Sequence, residues 1–352
     1  MSRDNQVIHF RLDCGGVIGF GHLSRCLSIA GQFKENGFQV SFIVRKRPSL
    51  KHFTLPFPVI WLDEIQDAPS QEVSSWINQS ESLEVSELKK LNLQEGILFV
   101  DHYGLNEEWC KALKASGQYL VKMRDYGNED YGCDLIVDYR YSEMPQGPKV
   151  LSGLKYIPLN PEIKKYTPKQ AASAEIKSVG VYIGGVGVES YKKLLKILGN
   201  VSGINQSLIE WIIPNEDYQR ELQNEATALN VRFLLPRADL FSFYLQADLF
   251  IGASGVSFFE RAYLGVSQLN FTVADNQRSF SEVLTKLDLM CLLGEIKEDS
   301  MELLTEKIVI FLADSNKIAM TAKKGRELIG ADGAANICKE IIRLSRDTCT
   351  KM

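Results

Sequence analysis

Residues 7–25, VIHFRLDCGGVIGFGHLSR, pass from a short apolar run through four glycines into a segment of helical periodicity. Residues 7–11 read as a strand. Residues 22–35 read as an amphipathic helix that closes at Gly37, where glycine accepts the left-handed conformation of a helix end. Strand, glycine-rich turn and helix in that order open a βα unit. Glycines let main-chain N–H groups approach a phosphate or a sugar, and the helix start behind them offers partial positive charge. His22 stands at that rim. A helix start disfavours a cation, so a neutral imidazole able to take a proton from water or a hydroxyl is expected there. A glycine-rich connection whose histidine merely caps its helix would have the same local sequence, so the rest of the chain must discriminate.

Outward from this stretch the βα rhythm continues, with candidate strands at 39–44, 97–101, 119–123 and 135–138. Residues 63–94, rich in Ser and Glu with Pro69 inside, read as a surface helix pair. The periodicity then breaks across 158–177, where Asn160-Pro161 and Pro168 punctuate a polar run. It restarts with strands at 178–183, 208–213, 231–234, 249–251 and 268–271, and helical segments follow from 301 to 346. The expected fold class is α/β, two doubly wound Rossmann-like domains. Residues 1–160 form the first, 161–177 a linker, and 178–352 the second. Tandem domains of this kind place a ligand cleft at the carboxyl ends of their strands.

The chain has 352 residues, 45% of them hydrophobic and 24% charged, the composition of a globular protein. A net charge of -4 argues against nucleic acid as the main partner, while leaving small anions open through backbone amides. No run is apolar enough for a membrane span, and the polar segment 1–6 leads directly into a strand without a signal-peptide pattern. A cytoplasmic protein is expected. The seven cysteines show no CxxC pair and no regular histidine partners, so reduced thiols are expected rather than a metal site. His9, inside a strand, and His52, in a polar loop, read as structural or solvated.

Other strand ends carry chemistry of the same kind. Asp101-His102-Tyr103 follows the strand at 97–101, where Asp101 or Tyr103 is placed to bind sugar hydroxyls or to orient His22, unless Asp101 only caps the next helix. Arg124-Asp125-Tyr126 follows the next strand. In the second half, Gly184-Gly185-Val186-Gly187 ends a strand and opens a helix, a geometry in which amides receive a diphosphate. Gly252-Ala253-Ser254-Gly255-Val256-Ser257 repeats it, with Glu260 one turn into the helix. A carboxylate there can accept hydrogen bonds from both hydroxyls of a ribose, while Ser257 and the loop amides hold phosphate oxygens. Asp275-Asn276-Gln277 adds amide side chains after the next strand; the plain alternative for Glu260 is a carboxylate on a helix surface.

Taken together these pieces resemble the UDP-2,4-diacetamido-2,4,6-trideoxy-altropyranose hydrolases of pseudaminic acid biosynthesis and the related spore-coat polysaccharide proteins. Most of the chain takes part. The resemblance is carried by Arg11, Asp13 and Gly19 to Arg25, by Asp101 and Tyr103 with Trp109 shortly after, and by Cys133-Asp134-Leu135. It continues through Gly184-Gly185, Gly252 to Glu260, Leu264-Gly265 and Asn276-Gln277. It implies a glycosyltransferase-B (GT-B) fold, distantly similar to the enzyme that adds GlcNAc to lipid I, with an interdomain cleft, a small-molecule nucleotide sugar as ligand and His22 as the catalytic residue. Asp101 and Tyr103 would assist His22. Asp13, Gly19, Gly21, Arg25, Gly184, Gly185, Gly255, Val256, Ser257, Glu260, Asn276 and Gln277 would bind substrate.

The implied reaction is attack on the anomeric carbon by water that His22 deprotonates, with inversion and release of UDP. A nucleoside diphosphate leaves readily near neutral pH, so one base suffices where ordinary glycosidases use two carboxyls. No D-x-D segment occupies a cleft position, so neither a metal nor another cofactor is expected. The chain departs from the family at ligand-facing loops: Gly187 replaces an aspartate, Arg124-Asp125 a pair of aspartates, Val256-Ser257 a Ser-Thr, and Val266-Ser267 a proline-containing turn. These departures keep two alternatives open, a glycosyltransferase on the same scaffold and a sugar-nucleotide-binding protein without turnover.

Overall fold

All six residues of Val7–Leu12 (β1) are buried, Arg11 included, as a strand with neighbours on both edges and helices over both faces requires. In this computed structural model, which describes residues 6–349 apart from 52, 69–73, 78, 126, 128, 130, 141–149, 174, 227–228 and 238, the chain divides into two compact units. Unit 1 comprises Met1–Pro161 and Ala331–Met352; unit 2 comprises Glu162–Gly330.

The sheet of unit 1 contains β1, Gln39–Arg45 (β2), Val59–Leu62 (β3), Ile97–Asp101 (β4), Tyr119–Met123 (β5), Leu135–Asp138 (β6) and Val150–Ser152 (β7). Its order is β3-β2-β1-β4-β5-β6-β7 and every pairing is parallel. The chain winds one way to β3 and the other way to β7, so the strand order reverses between β1 and β4, the switch point at whose carboxyl ends sheets of this kind bind ligands. Leu12 lies opposite Asp101 in the register at that point. Helices Gly21–Glu35 (α1), Ser74–Ile77 (α2), Glu81–Lys90 (α3) and Glu107–Lys114 (α4) connect the strands.

Unit 2 repeats the plan with Ser178–Tyr182 (β8), Leu208–Ile212 (β9), Val231–Leu234 (β10), Leu249–Ala253 (β11), Gln268–Thr272 (β12) and Leu292–Glu295 (β13). The order β10-β9-β8-β11-β12-β13 puts its reversal between β8 and β11, with Tyr182 opposite Gly252. Its helices are Val188–Gly199 (α5), Glu216–Gln223 (α6), Leu240–Gln246 (α7), Val256–Tyr263 (α8), Asp275–Lys286 (α9), Met301–Ala313 (α10) and Ser315–Leu328 (α11). Both sheets are thus doubly wound, as the alternation in the sequence implies.

Three strands have no counterpart among those expected: β3, β7 and β13. All three are edge strands, three or four residues long, paired on one side only. An edge strand buries less apolar surface and leaves a weaker trace in the sequence.

The expected boundaries shift at two places. The last helix, Gly333–Cys349 (α12), belongs to unit 1 rather than to a second domain running to residue 352. Ala334, Ile337, Cys338 and Ile341 are its buried stripe, and the Asn336 amide donates to Lys155 O. An apolar stripe read from sequence shows that a helix packs, not against which core. Of the expected linker 161–177, Pro161 falls in unit 1 and the rest is tied to unit 2: the Lys169 N–H donates to Leu264 O, and the Ser173 hydroxyl to Asp248. The region 63–94, expected as a surface helix pair, instead sends Trp76 and Glu84 into the interior. Pro69 lies outside the described residues, as do His52 and Tyr126.

His9 is structural, its Nδ1 2.7 Å from Ser41 Oγ on the neighbouring strand. Cys14, Cys26, Cys110, Cys133, Cys291 and Cys338 are free and buried. Among the described residues no helix is long and apolar enough to cross a membrane, and no cluster of three or more His, Cys, Asp or Glu side chains is arranged to hold a metal ion.

Candidate functional site

The turn after β1 is shaped by its glycines. Gly15 and Gly19 form a bridge, the N–H of Gly15 donating to Gly19 O at 2.9 Å, with φ of 88° and 75°. A side chain at either position would be strained. The loop turns out Phe20, 52% exposed, whose ring lies 5.9 Å from that of Phe53. Phe20 is the N-cap of α1, without a capping side chain, and His22 is the second helical residue.

His22 is 6% exposed and meets the end of β4. Its Nδ1 lies 2.7 Å from Asp101 Oδ1 and 3.1 Å from Arg25 Nη2. The ring is walled by two aromatics in edge contact, Tyr103 at 4.6 Å and Trp76 at 5.5 Å between centroids. Asp101 is buried, and that burial would raise its carboxyl. The Arg25 charge, and after it the neighbouring His22, outweigh the burial and hold Asp101 far below the usual carboxylate range. Arg25 grips it as a fork, Nε on Oδ2 at 2.5 Å and Nη2 on Oδ1 at 2.6 Å. The other arm of Arg25 donates to Asp125 Oδ2 at 2.5 Å and to the Tyr139 oxygen at 3.2 Å. Burial raises the Tyr103 phenol, and the charge of Asp125 and a hydrogen bond to it add to the rise. One network therefore joins α1 to the ends of β4, β5 and β6.

A second buried network lies beside it. Asp13, 1% exposed, receives Arg11 at 2.5 Å, Arg47 at 3.1 Å and the Arg45 N–H at 3.2 Å, and faces His102 Nε2 at 3.3 Å. Glu84 from α3 pairs with Arg11 and Arg45, and Glu87 with Arg45. Burial alone would raise Asp13, but the Arg11 charge and the His102 hydrogen bond keep it well below its ordinary value. Asp13 and Arg25, read from the sequence as substrate ligands, are thus placed inside ion networks, and the partners described are protein groups.

In unit 2 the expected pieces gather at the carboxyl ends of three adjacent strands. Gly184 and Gly185 follow β8, Gly255, Val256 and Ser257 follow β11, and Asn276 and Gln277 follow β12. Gly187 and Gly255 are the N-caps of α5 and α8, and neither helix start has a side-chain cap. That leaves first-turn N–H groups for an anion. Gln277 approaches Gly255, where a Cβ would meet its Nε2 at 3.5 Å, while its Oε1 accepts from the Val273 N–H. Behind the turn Arg261 is fully buried, its guanidinium so close under Gly252 that a Cβ there would meet Cζ at 2.7 Å. Glu260 is 8% exposed and accepts from the Tyr244 hydroxyl at 3.1 Å. Burial raises its carboxyl, opposed by that hydrogen bond and by the Arg261 charge.

Sequence reasoning missed Trp76, Tyr139 and Tyr244. Tyr139 had a usable signal, since Asp138-Tyr139-Arg140 ends β6 as Arg124-Asp125 ends β5. Trp76 had none, lying in a four-residue helix of a Ser-rich region.

The chain matches no family model and no curated protein. Among solved structures it is similar to MurG of Acinetobacter baumannii (15% identity, TM-score 0.64, 96% of this chain and 99% of that one). It is also similar to the spinosyn rhamnosyltransferase SpnG complexed with thymidine diphosphate (18%, 0.66, 94% and 98%). A UDP-N-acetylglucosamine 2-epimerase matches at 12% identity and a TM-score of 0.59 over 96% of each chain. These likenesses are of fold: two Rossmann-like units in the GT-B arrangement of sequence and topology.

Proposed function

We propose that the protein processes a nucleotide-activated sugar, with His22 as the base, and that the reaction is hydrolysis of a UDP-linked 2,4-diacetamido-2,4,6-trideoxy sugar at its anomeric carbon. The observation that carries this reading is the 2.7 Å contact of His22 Nδ1 with the buried, ionised Asp101. A proton between them sits on Nδ1, which leaves Nε2 as a free lone pair. In this reading unit 2 holds the nucleotide. The diphosphate takes the uncapped N–H groups of the Gly255 turn, and Glu260 accepts from the ribose hydroxyls. That a neighbour of the same fold, SpnG, is complexed with thymidine diphosphate supports a nucleoside diphosphate as the ligand class.

The test is UDP release from a panel of nucleotide sugars with no acceptor present. The diacetamido compound is expected to turn over, and His22→Ala to lower kcat by about 10²–10⁴-fold while UDP still binds. An equal rate in the variant would remove His22 from the mechanism. For Glu260→Ala, UDP affinity is expected to fall by about 10–100-fold, the loss of one or two hydrogen bonds to a charged group. Wild type should also prefer UDP over 2′-deoxy-UDP; if calorimetry finds that preference intact in the variant, Glu260 does not hold the ribose.

A second reading, glycosyl transfer, is favoured by one feature. The exposed Phe20 ring, packed on Phe53 two residues before His22, suits an apolar acceptor. Two of the structural neighbours are by name MurG and a rhamnosyltransferase. UDP release that requires an added acceptor decides for it.

A further inference from the structure

We infer that Arg25 is a positioning residue which sets the tautomer of His22 through Asp101, and not a ligand of the substrate. The inference rests on the reading of His22 as the base. Two acceptors without a proton between them repel at 2.7 Å, so either Asp101 or His22 Nδ1 carries a hydrogen there. Were it on Asp101, the imidazole would hold its own proton on Nε2 and have no lone pair to offer. Arg25 excludes that arrangement. Its fork occupies both carboxylate oxygens at 2.5 and 2.6 Å, and a guanidinium only donates. Protonating Asp101 would turn both charge-assisted bonds of the fork into bonds from a buried cation to a neutral acid, so the hydrogen belongs to Nδ1. Arg25 Nη2 carries two hydrogens, and the one not given to Asp101 Oδ1 could reach Nδ1 at 3.1 Å only if that nitrogen were bare. That would set a lone pair 2.7 Å from the carboxylate oxygen; the shorter contact therefore decides for Nδ1–H.

The second arm of Arg25 explains why a lysine would not serve. Nη1 holds Asp125 at 2.5 Å, and the Tyr139 hydroxyl donates to the same Asp125 oxygen at 3.2 Å. Asp125 in turn hydrogen-bonds Tyr103, whose ring packs against His22. One planar cation thereby fixes the base and the aromatic beside it, which a point charge on a flexible stem cannot do. The side chain is 3% exposed, and each of its three nitrogens donates to a described protein group.

Imidazole nitrogen NMR on the full chain tests this. There are four histidines, so His22→Gln identifies the His22 signals by subtraction. Wild type at neutral pH should show Nδ1 protonated and Nε2 bare; Nε2 protonated overturns the inference. Arg25→Gln should shift the tautomer balance and lower kcat for the turned-over UDP-sugar by about 10²-fold, with the Kd for UDP unchanged. Arg25→Lys should recover only part of that loss. A raised KM or UDP Kd with kcat intact in either variant would make Arg25 a ligand after all. If Arg25→Gln does not fold, the wild-type tautomer and Arg25→Lys still decide. If wild type turns over no sugar nucleotide, the base reading fails, yet the tautomer and the UDP affinities still report on Arg25.

Discussion

Asp101→Asn is expected to lower turnover by about 10⁴-fold, the size seen where an orienting aspartate is lost and its histidine adopts the wrong tautomer. The carboxylate has two jobs at once: it accepts from His22 Nδ1 at 2.7 Å and receives the Arg25 fork on both oxygens. An amide has one oxygen and one NH2. If the oxygen faces His22, the NH2 meets a donating guanidinium; if it faces Arg25, the NH2 meets Nδ1 and drives the ring proton to Nε2. Either orientation loses a charge-assisted bond. Because Asp101 is held far below the usual carboxylate range, wild type keeps this arrangement throughout the neutral region. The measurement is kcat for the UDP-sugar turned over, with folding checked by circular dichroism. A double variant His22→Ala/Asp101→Asn should be no slower than His22→Ala alone, since residues acting as a unit do not add. Additive losses would show that Asp101 acts independently.

Glu84→Gln is expected to cost unit 1 about 3–5 kcal/mol, the usual penalty for removing one partner of a buried ion pair. Glu84 is fully buried and pairs with Arg11 and Arg45; with Asp13 and Glu87 it balances three guanidiniums, those of Arg11, Arg45 and Arg47. The substitution leaves three cations against two carboxylates, away from water. Burial alone would raise Glu84, but the Arg11 charge prevails and its carboxyl is lowered. A group lowered by folding stabilises fully above the unfolded carboxylate range and loses that contribution as pH falls below about 4 toward its folded value. The variant should therefore differ most from wild type near neutrality and converge with it in acid. Hydrogen exchange of β1 amides in urea reads the loss, with β8 amides of unit 2 as the internal reference. Unchanged β1 protection at pH 7 would mean that the cluster is not what holds the strand.

The chain's own sequence determined the two doubly wound sheets and the strand ends at which their glycine turns gather. Central strands such as Ile97–Asp101, and glycine turns such as Gly15 to Gly19, are local features: burial on both faces demands continuous apolar residues, and positive φ favours glycine. The positions of His22, Asp101 and Tyr103 were legible for the same reason, each marking a strand end or a helix start. Only the tertiary structure decided what those residues meet. It gave α12 to unit 1, brought Trp76 and Glu84 inward from a polar stretch, and turned Arg25 and Asp13 toward carboxylates and guanidiniums up to 100 positions away. A charged side chain reads alike in sequence whether water or a buried counter-charge receives it. That choice is made by the desolvation and pairing of groups the fold brings together, and no local pattern records it.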